Sequence, residues 1–431
     1  LVNVPVGIVA LAVVSRFLHL PHTRREHRID WPGAVALIVG LTPLLILAEQ
    51  GRGWGWGSPR SLTLMLIGLV GIVGFVLAER RYGDDALLPL RLFRGRTFGI
   101  GSVLNFLIGM GMFGGLAALP LYLQIVKGAT PTEAGLMLLP MTAGIMAGSI
   151  FSGQMIARTG RYKIFPVVGS MLLVLGLGLM SRVGVDTPLW HVMLIMTVFG
   201  LGLGGNMQPL VLAVQNAVPP RDMGVATSSA TFFRQMGGTL GTAVFLAILF
   251  STVGDKIKAA FGAPDNAAAI AAAVNDPHVL ANPTNASVAA AIKSGGALPA
   301  GALDDTSFLS RLDPRLARPF LEGFAGSIAL VSLCGALVLL VAAVVVWFLP
   351  EEPLRSVSGI QARHQEEELV AAEAAGVSAG SSQMVDGELL AEDDEATDLS
   401  DSRAPTGPRN SDNATALSES RALTGPRESD K

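Results

Sequence analysis

Cysteine is almost missing from this chain. Cys334 is the single one, and it lies inside an apolar run. An intrachain disulfide is therefore excluded, as is a cysteine-based metal site. Charge is scarce as well. Only 15% of the 431 residues are charged, where a soluble domain carries about 25%. The six histidines fall at the ends of apolar runs, in loops or near the C-terminus. None is placed as a buried general base, and there is no nucleophile motif, metal-ligand cluster or phosphate-binding loop. We expect no enzyme activity, no cofactor, no metal and no nucleic-acid partner. A membrane-embedded transferase would need clustered Asp, Glu or His at an interface, and no such cluster occurs.

Acids are missing from one particular place. Of the 16 Asp and Glu before residue 351, none lies at the centre of an apolar run, and Glu49 and Glu133 lie near run ends. A proton carrier needs a titratable group reachable from both sides of the membrane. If protons drive this protein, the carrier carboxylate is expected upstream of Leu1. The opening, Leu1-Val-Asn-Val-Pro-Val-Gly7, has no charged leader and reads as the middle of a span, not as a signal peptide.

Apolar length is what the chain has in abundance. Half of its residues are hydrophobic and the mean hydropathy is +0.51. About 20 residues at roughly 1.5 Å each cover the roughly 30 Å hydrocarbon core of a bilayer. Nine runs approach that length, near 1–20, 31–48, 62–77, 98–126, 133–156, 164–180, 189–214, 224–250 and 323–349. They stay apolar instead of alternating, which argues against a membrane β-barrel. The expected fold class is an all-α polytopic membrane protein with about nine crossings.

The cations set the orientation. Loops on one side hold three at Arg24–Arg28, five at Arg80–Arg96, three at Arg158–Lys163 and Arg221, whereas the short loops opposite hold Arg52, Arg60, Lys127 and Arg182. The positive-inside rule puts the richer side in the cytoplasm, so residues 251–320 are expected outside and the C-terminal tail inside a plasma membrane. All five tryptophans fall near run ends, as in an aromatic belt. The outer segment is Ala-rich and suits short surface helices, but lacks the apolar core of a soluble binding domain. The tail, 350–431, is polar and acidic and is expected to be disordered. From Glu351 on, 18 acids face 7 bases. Residues 400–412 recur with changes at 418–430.

The organising stretch is Ser152-Gly153-Gln154-Met155-Ile156-Ala157-Arg158-Thr159-Gly160-Arg161-Tyr162-Lys163. Gly153 and Gly160 allow a sharp turn, and Arg158, Arg161 and Lys163 either clamp anions or only orient the hairpin. Polar residues inside the runs are the other candidates, because such groups are costly in lipid and face a bundle interior or a wet cavity. Arg234 falls about ten residues into its run, near mid-membrane. Asn206, Gln208, Gln215 and Asn216 lie on the seventh run, Asn105 on the fourth and Gln124 near its outer end. Small-xxx-small pairs, Gly111/Gly115, Gly144/Gly148, Gly200/Gly204 and Gly237/Gly241, favour close helix contacts. Pro140 and Pro209 are expected to kink their helices.

These residues resemble a family. Asn3-Val-Pro-Val-Gly7, Leu119-Pro-Leu-Tyr-Leu-Gln124, Ala134-Gly-Leu-Met-Leu-Leu-Pro140, Met207-Gln208 and Phe232-Phe-Arg-Gln-Met-Gly-Gly238 are similar to signatures of the fourteen-span drug:proton antiporter branch of the major facilitator superfamily. Gly153–Lys163 resembles the second-half copy of the G-x-x-x-D-R-x-G-R-R loop, with Ala157 in place of the acid. The resemblance implies a partial major-facilitator fold. Residues 1–20 would be the last span of the first half, 21–97 the extra central pair with its loop, and 98–349 the second six-helix half. The chain is then an N-terminally truncated multidrug efflux permease whose missing first half completes the transporter.

The resemblance implies a secondary transporter that exports drugs or other amphipathic organic compounds by proton antiport. Its partners would be the bilayer, a small-molecule substrate, protons and the missing half. Arg234, Asn206, Gln208, Gln215, Asn105 and Gln124 are the substrate-cavity candidates, and Gly153, Arg158, Gly160, Arg161 and Lys163 the cytoplasmic gating loop. The alternative is a truncated membrane protein or regulator that does not transport.

Overall fold

The computed structural model describes residues 3–17, 30–83, 86–293 and 307–353. Among them every regular element is helical. Helices close their own backbone hydrogen bonds, which lets long apolar segments lie in lipid. The basic turn Arg24–Arg28 and the expected acidic tail beyond Pro353 lie outside the described residues.

α1 (Asn3–Phe17) is exposed along its apolar length. α2 (Trp31–Trp54) starts where Asp30 Oδ1 accepts the Gly33 N–H at 2.7 Å, with proline in its first turn. α3 (Pro59–Tyr82) is capped by Ser58 and packs antiparallel to α2. The two backbones meet closely at Gly40 and Gly71.

α4 (Arg96–Leu121) ends in a wider π-helical turn, Tyr122–Val126. The expected fifth span is two helices. α5 (Pro131–Met137) opens on a reciprocal Thr130–Glu133 capping box, and α6 (Leu139–Thr159) restarts after Leu138 with Pro140 in its first turn. A proline there loses no helical hydrogen bond. α7 (Ile164–Met180) and α8 (Leu189–Asn216) follow, and α8 runs unbroken through Pro209.

Two boundaries differ from the sequence expectation. α9 (Met223–Phe261) continues about three turns beyond residue 250, and α13 (Pro314–Val345) begins well before residue 323. Both extensions are polar on one side yet anchored by apolar residues such as Ile257 and Phe320, so helix outlasts hydropathy. Between them lie α10 (Pro264–Val274), α11 (Pro277–Leu280) and α12 (Pro283–Lys293). These short helices bury Ile270, Ala273, Val274, Val279 and Ala289 against Leu316.

Seven described segments are long and apolar enough to cross a membrane, and Gly7–Phe17 and Ile164–Met180 are shorter apolar helices. Together they account for the nine expected runs.

Glycine decides the packing of the second half. α6 lies on α8 where a Cβ on Gly144 would sit 2.6 Å from the Thr197 carbonyl, and one on Gly148 2.6 Å from that of Leu201. Gly200 and Gly204 face the Met141 and Ile145 carbonyls in return. α4 lies on α9 in the same manner, with Gly237 and Gly241 against the Phe106 and Met110 carbonyls. Three of the four expected pairs thus form two close seams, whereas Gly111 and Gly115 meet the Leu339 and Phe199 side chains and not a facing backbone. α13 covers the bundle from behind, with Leu339 against Gly111.

Candidate functional site

Arg234 sits twelve residues into α9, about 16 Å from its start at 1.5 Å per residue. Its backbone carbonyl presses on Gly109 of α4, which brings the two helices together at that level. The residue is half-buried. Among the described residues its guanidinium has no hydrogen-bond or ion-pair partner. The same helix carries Ser228, Thr231, Gln235 and Thr239 exposed at helical spacing. The three hydroxyls bond carbonyls of their own helix at 3.0 Å, whereas Gln235 is left open.

The other cavity candidates do not converge on Arg234. Asn206 is fully buried, accepts the Ser170 hydroxyl at 3.2 Å and donates to Gly202 at 2.7 Å. It ties α7 to α8. Asn105 is buried and donates to Gly101 within α4 at 2.9 Å. Gln215 donates to Thr227 at 2.7 Å and bridges α8 to α9. Gln208 is exposed on α8, and Gln124 is exposed on the π-helical turn at the opposite end of α4 from Arg96.

The basic turn is built as its glycines suggest in one of two places. Gly160 takes φ +68°, a left-handed cap that ends α6 and donates to Ile156 at 2.8 Å. Gly153 is an ordinary helical residue with open space beside it. Arg158 and Arg161 are exposed, while Lys163 donates to the Trp347 carbonyl at 3.1 Å.

Sequence reasoning passed over Tyr162, which is fully buried. Its hydroxyl accepts the Glu352 N–H at 3.0 Å and donates to Pro350 at 3.4 Å. Burial pushes its phenol up from the usual tyrosine range, and the Glu352 N–H partly opposes this. Asn216 donates to Pro353 at 3.1 Å, and Thr97 donates to the Glu352 carboxylate at 2.7 Å. Residues 350–353 thus strap the start of α4, the α6–α7 turn and the end of α8. Single polar residues in turns carry no pattern that reveals such a strap. Glu79 was also missed. It is buried in the last turn of α3, and both carboxylate oxygens accept the Leu88 N–H, at 3.1 and 3.0 Å.

At the other end, Tyr122 donates to Gly184 at 3.0 Å, and Lys127 donates to Val185 at 2.7 Å and Thr187 at 2.6 Å. Burial lowers the Lys127 ammonium from its ordinary range, opposed by the Asp186 charge. These bonds pin the π-helical turn to the α7–α8 turn.

No group of three or more His, Cys, Asp or Glu suited to a metal ion occurs among the described residues. What the arrangement offers is a cation unpaired among the described residues, about 16 Å along a long apolar helix, in a bundle held by glycine seams and bound together at both ends. Such a molecule is a polytopic helical membrane protein. The chain belongs to the Major Facilitator Superfamily, whose family model matches residues 1–242.

Named relatives agree with that membership. The chain is 37% identical over 343 residues to the tetracycline resistance determinant of Streptomyces rimosus, covering 78% of this chain and 97% of that one. It is 33% identical over 350 residues to the tetracenomycin C resistance and export protein of Streptomyces glaucescens, covering 78% and 61%. It is 32% identical over 257 residues to the multidrug transporter protein MdtP of Bacillus subtilis, covering 59% and 47%. The chain therefore spans nearly all of the first relative and about half to three fifths of the other two.

Proposed function

We propose that this chain is the central hairpin and second half of a fourteen-span drug exporter, and that the whole transporter expels amphipathic ring compounds of the tetracycline kind from the cytoplasm by proton antiport. Arg234 carries the reading. A guanidinium cannot lose its charge and is costly at membrane depth without a partner. Its half-buried, unpaired state fits a place on the wall of a wet cavity, where it meets the oxygen atoms of a substrate or a carboxylate of the other half. Gln235 and Gln208 extend that wall. Asn206 and Gln215 support it by joining helices, and Asn105 by a bond within α4.

Resistance and export names among the relatives support the substrate class. Residues 1–20, as the last span of the first half, and the hairpin of α2 and α3, as the extra central pair, fit the fourteen-span branch. Arg158 and Arg161 steady the cytoplasmic face in one conformational state, and the proton-carrying carboxylate comes from the first half. Sites between two halves at mid-membrane are the rule for such transporters.

The test is tetracycline efflux from vesicles containing the complete transporter. Arg234→Ala is expected to lower efflux at least about ten-fold, the loss of roughly 1.4 kcal/mol of interaction. Unchanged efflux with an unchanged pH profile would remove Arg234 from the cavity.

A further inference from the structure

A cleft lies away from Arg234, at the end of the bundle that carries Lys127. It has a volume of about 740 Å³. One wall is the π-helical turn and the residues after it, with Leu121, Gln124, Ile125 and Thr130. The facing wall is Leu309 and the first turns of α13, with Ala317 and Leu321. Both walls are braced. Tyr122 and Lys127 fix the first to the α7–α8 turn. Phe320 fixes the second between Phe261 and Phe308, edge to face with centroids 5.2 and 5.8 Å away. Arg315 adds bonds to Asp313 at 3.0 Å and Asp276 at 3.1 Å.

Three features suit this cleft to a ligand. Its size is that of a drug-binding pocket, roughly 300–1,000 Å³. Its lining mixes leucine and isoleucine faces with polar groups. Gln124 is exposed, and among the described residues its amide has no partner. The turn that presents it is the third feature. In it the Lys127 N–H reaches back five residues to the Tyr122 carbonyl at 3.2 Å. Such turns are rare, and they concentrate at functional sites. On this turn Gln124 lines the cleft while Leu123 and Val126 stay buried.

We propose that this cleft is an outer subsite for the exported compound, which rests on the exporter reading above. It takes an amphipathic ring system whose faces lie against Leu121, Ile125 and Leu321. Ring oxygens accept from the Gln124 amide. A compound released from mid-membrane pauses there before it reaches water.

The test uses the complete transporter with Cys334→Ala and Ala129→Cys, a cleft-lining position that leaves Gln124 in place, with a membrane-impermeant thiol reagent and tetracycline as the probe. Tetracycline is expected to slow labelling at position 129 about ten-fold when present at about ten times its Kd. Adding Leu321→Trp, which fills the cleft, should abolish that protection, with thermal stability checking that the variant folds. A protein that exports tetracycline while labelling proceeds at an unchanged rate overturns the subsite and leaves the exporter reading standing. Neither export nor protection overturns both.

Discussion

Arg91 grips Asp222 with two parallel hydrogen bonds, Nη1 to Oδ2 and Nη2 to Oδ1, each 2.9 Å long, across 131 residues of sequence. Arg91 lies in the turn that leads into α4, and Asp222 stands at the head of α9. The pair therefore aligns the two helices whose glycine seam holds Arg234 in place. Asp222 is only 8% exposed, and a second cation, Arg221, has its Nε 3.8 Å from the same carboxylate.

Arg91→Ala should strand a buried carboxylate and destabilise the protein by about 1–3 kcal/mol. Arg91→Lys should recover only part of this, since an ammonium cannot make the two-pronged contact. Replacing both partners with apolar residues should cost less than Arg91→Ala alone. Denaturant unfolding in detergent of the four proteins measures these differences. Equal stability of wild type and Arg91→Ala would show that the pair contributes nothing.

The seam between α4 and α9 makes a sharper demand. A methyl group on Gly237 runs into the Phe106 carbonyl, a backbone atom that cannot swing aside. Gly237→Ala should therefore push the helices apart at a cost of about 1–3 kcal/mol. Gly153→Ala meets nothing within 4 Å and should stabilise α6 slightly, if it changes anything. Thermal unfolding of the two variants side by side distinguishes a packing glycine from an incidental one.

Tyr162 gives a pH-dependent test. Its buried phenol keeps its proton above the pH at which an unfolded tyrosine loses it, near 10. Between those two values the folded protein holds more protons, so stability falls as pH rises past about 10. Below that pH the contribution is fully present. Tyr162→Phe should remove this alkaline slope and cost about 1–2 kcal/mol at neutral pH through the lost strap bonds. Stability measured against pH for both proteins checks it. Parallel curves would show that Tyr162 does not contribute to the slope.

Much of the architecture could be read along the chain. Run length and scarce charge placed the helices, and three of the four glycine pairs named the two seams, because close backbone approach has a local signature, while Gly111 and Gly115 turned out to make room for side chains. Ends were harder. α9 and α13 outrun their apolar segments, since an amphipathic extension keeps its helix by packing one face, and the partners of that face lie elsewhere in the sequence. The polar candidates divided for the same reason. Asn206 and Gln208 sit two residues apart on α8, yet one is sealed against α7 and the other is open. A two-residue step turns a helix by about 200°, and only the neighbours say which side is covered.

Composition and spacing alone determined that this is a helical membrane protein with a basic turn between its fifth and sixth apolar runs. Lipid leaves so few ways to satisfy a backbone that hydropathy nearly dictates the class. Tertiary contact alone decided that Arg234 goes unpaired among the described residues while Arg91 finds Asp222, that Tyr162 anchors a strap, and that Gln124 overlooks a cleft. Each depends on which distant segments meet, and a side chain's chemistry takes its meaning from what stands within a few ångströms of it.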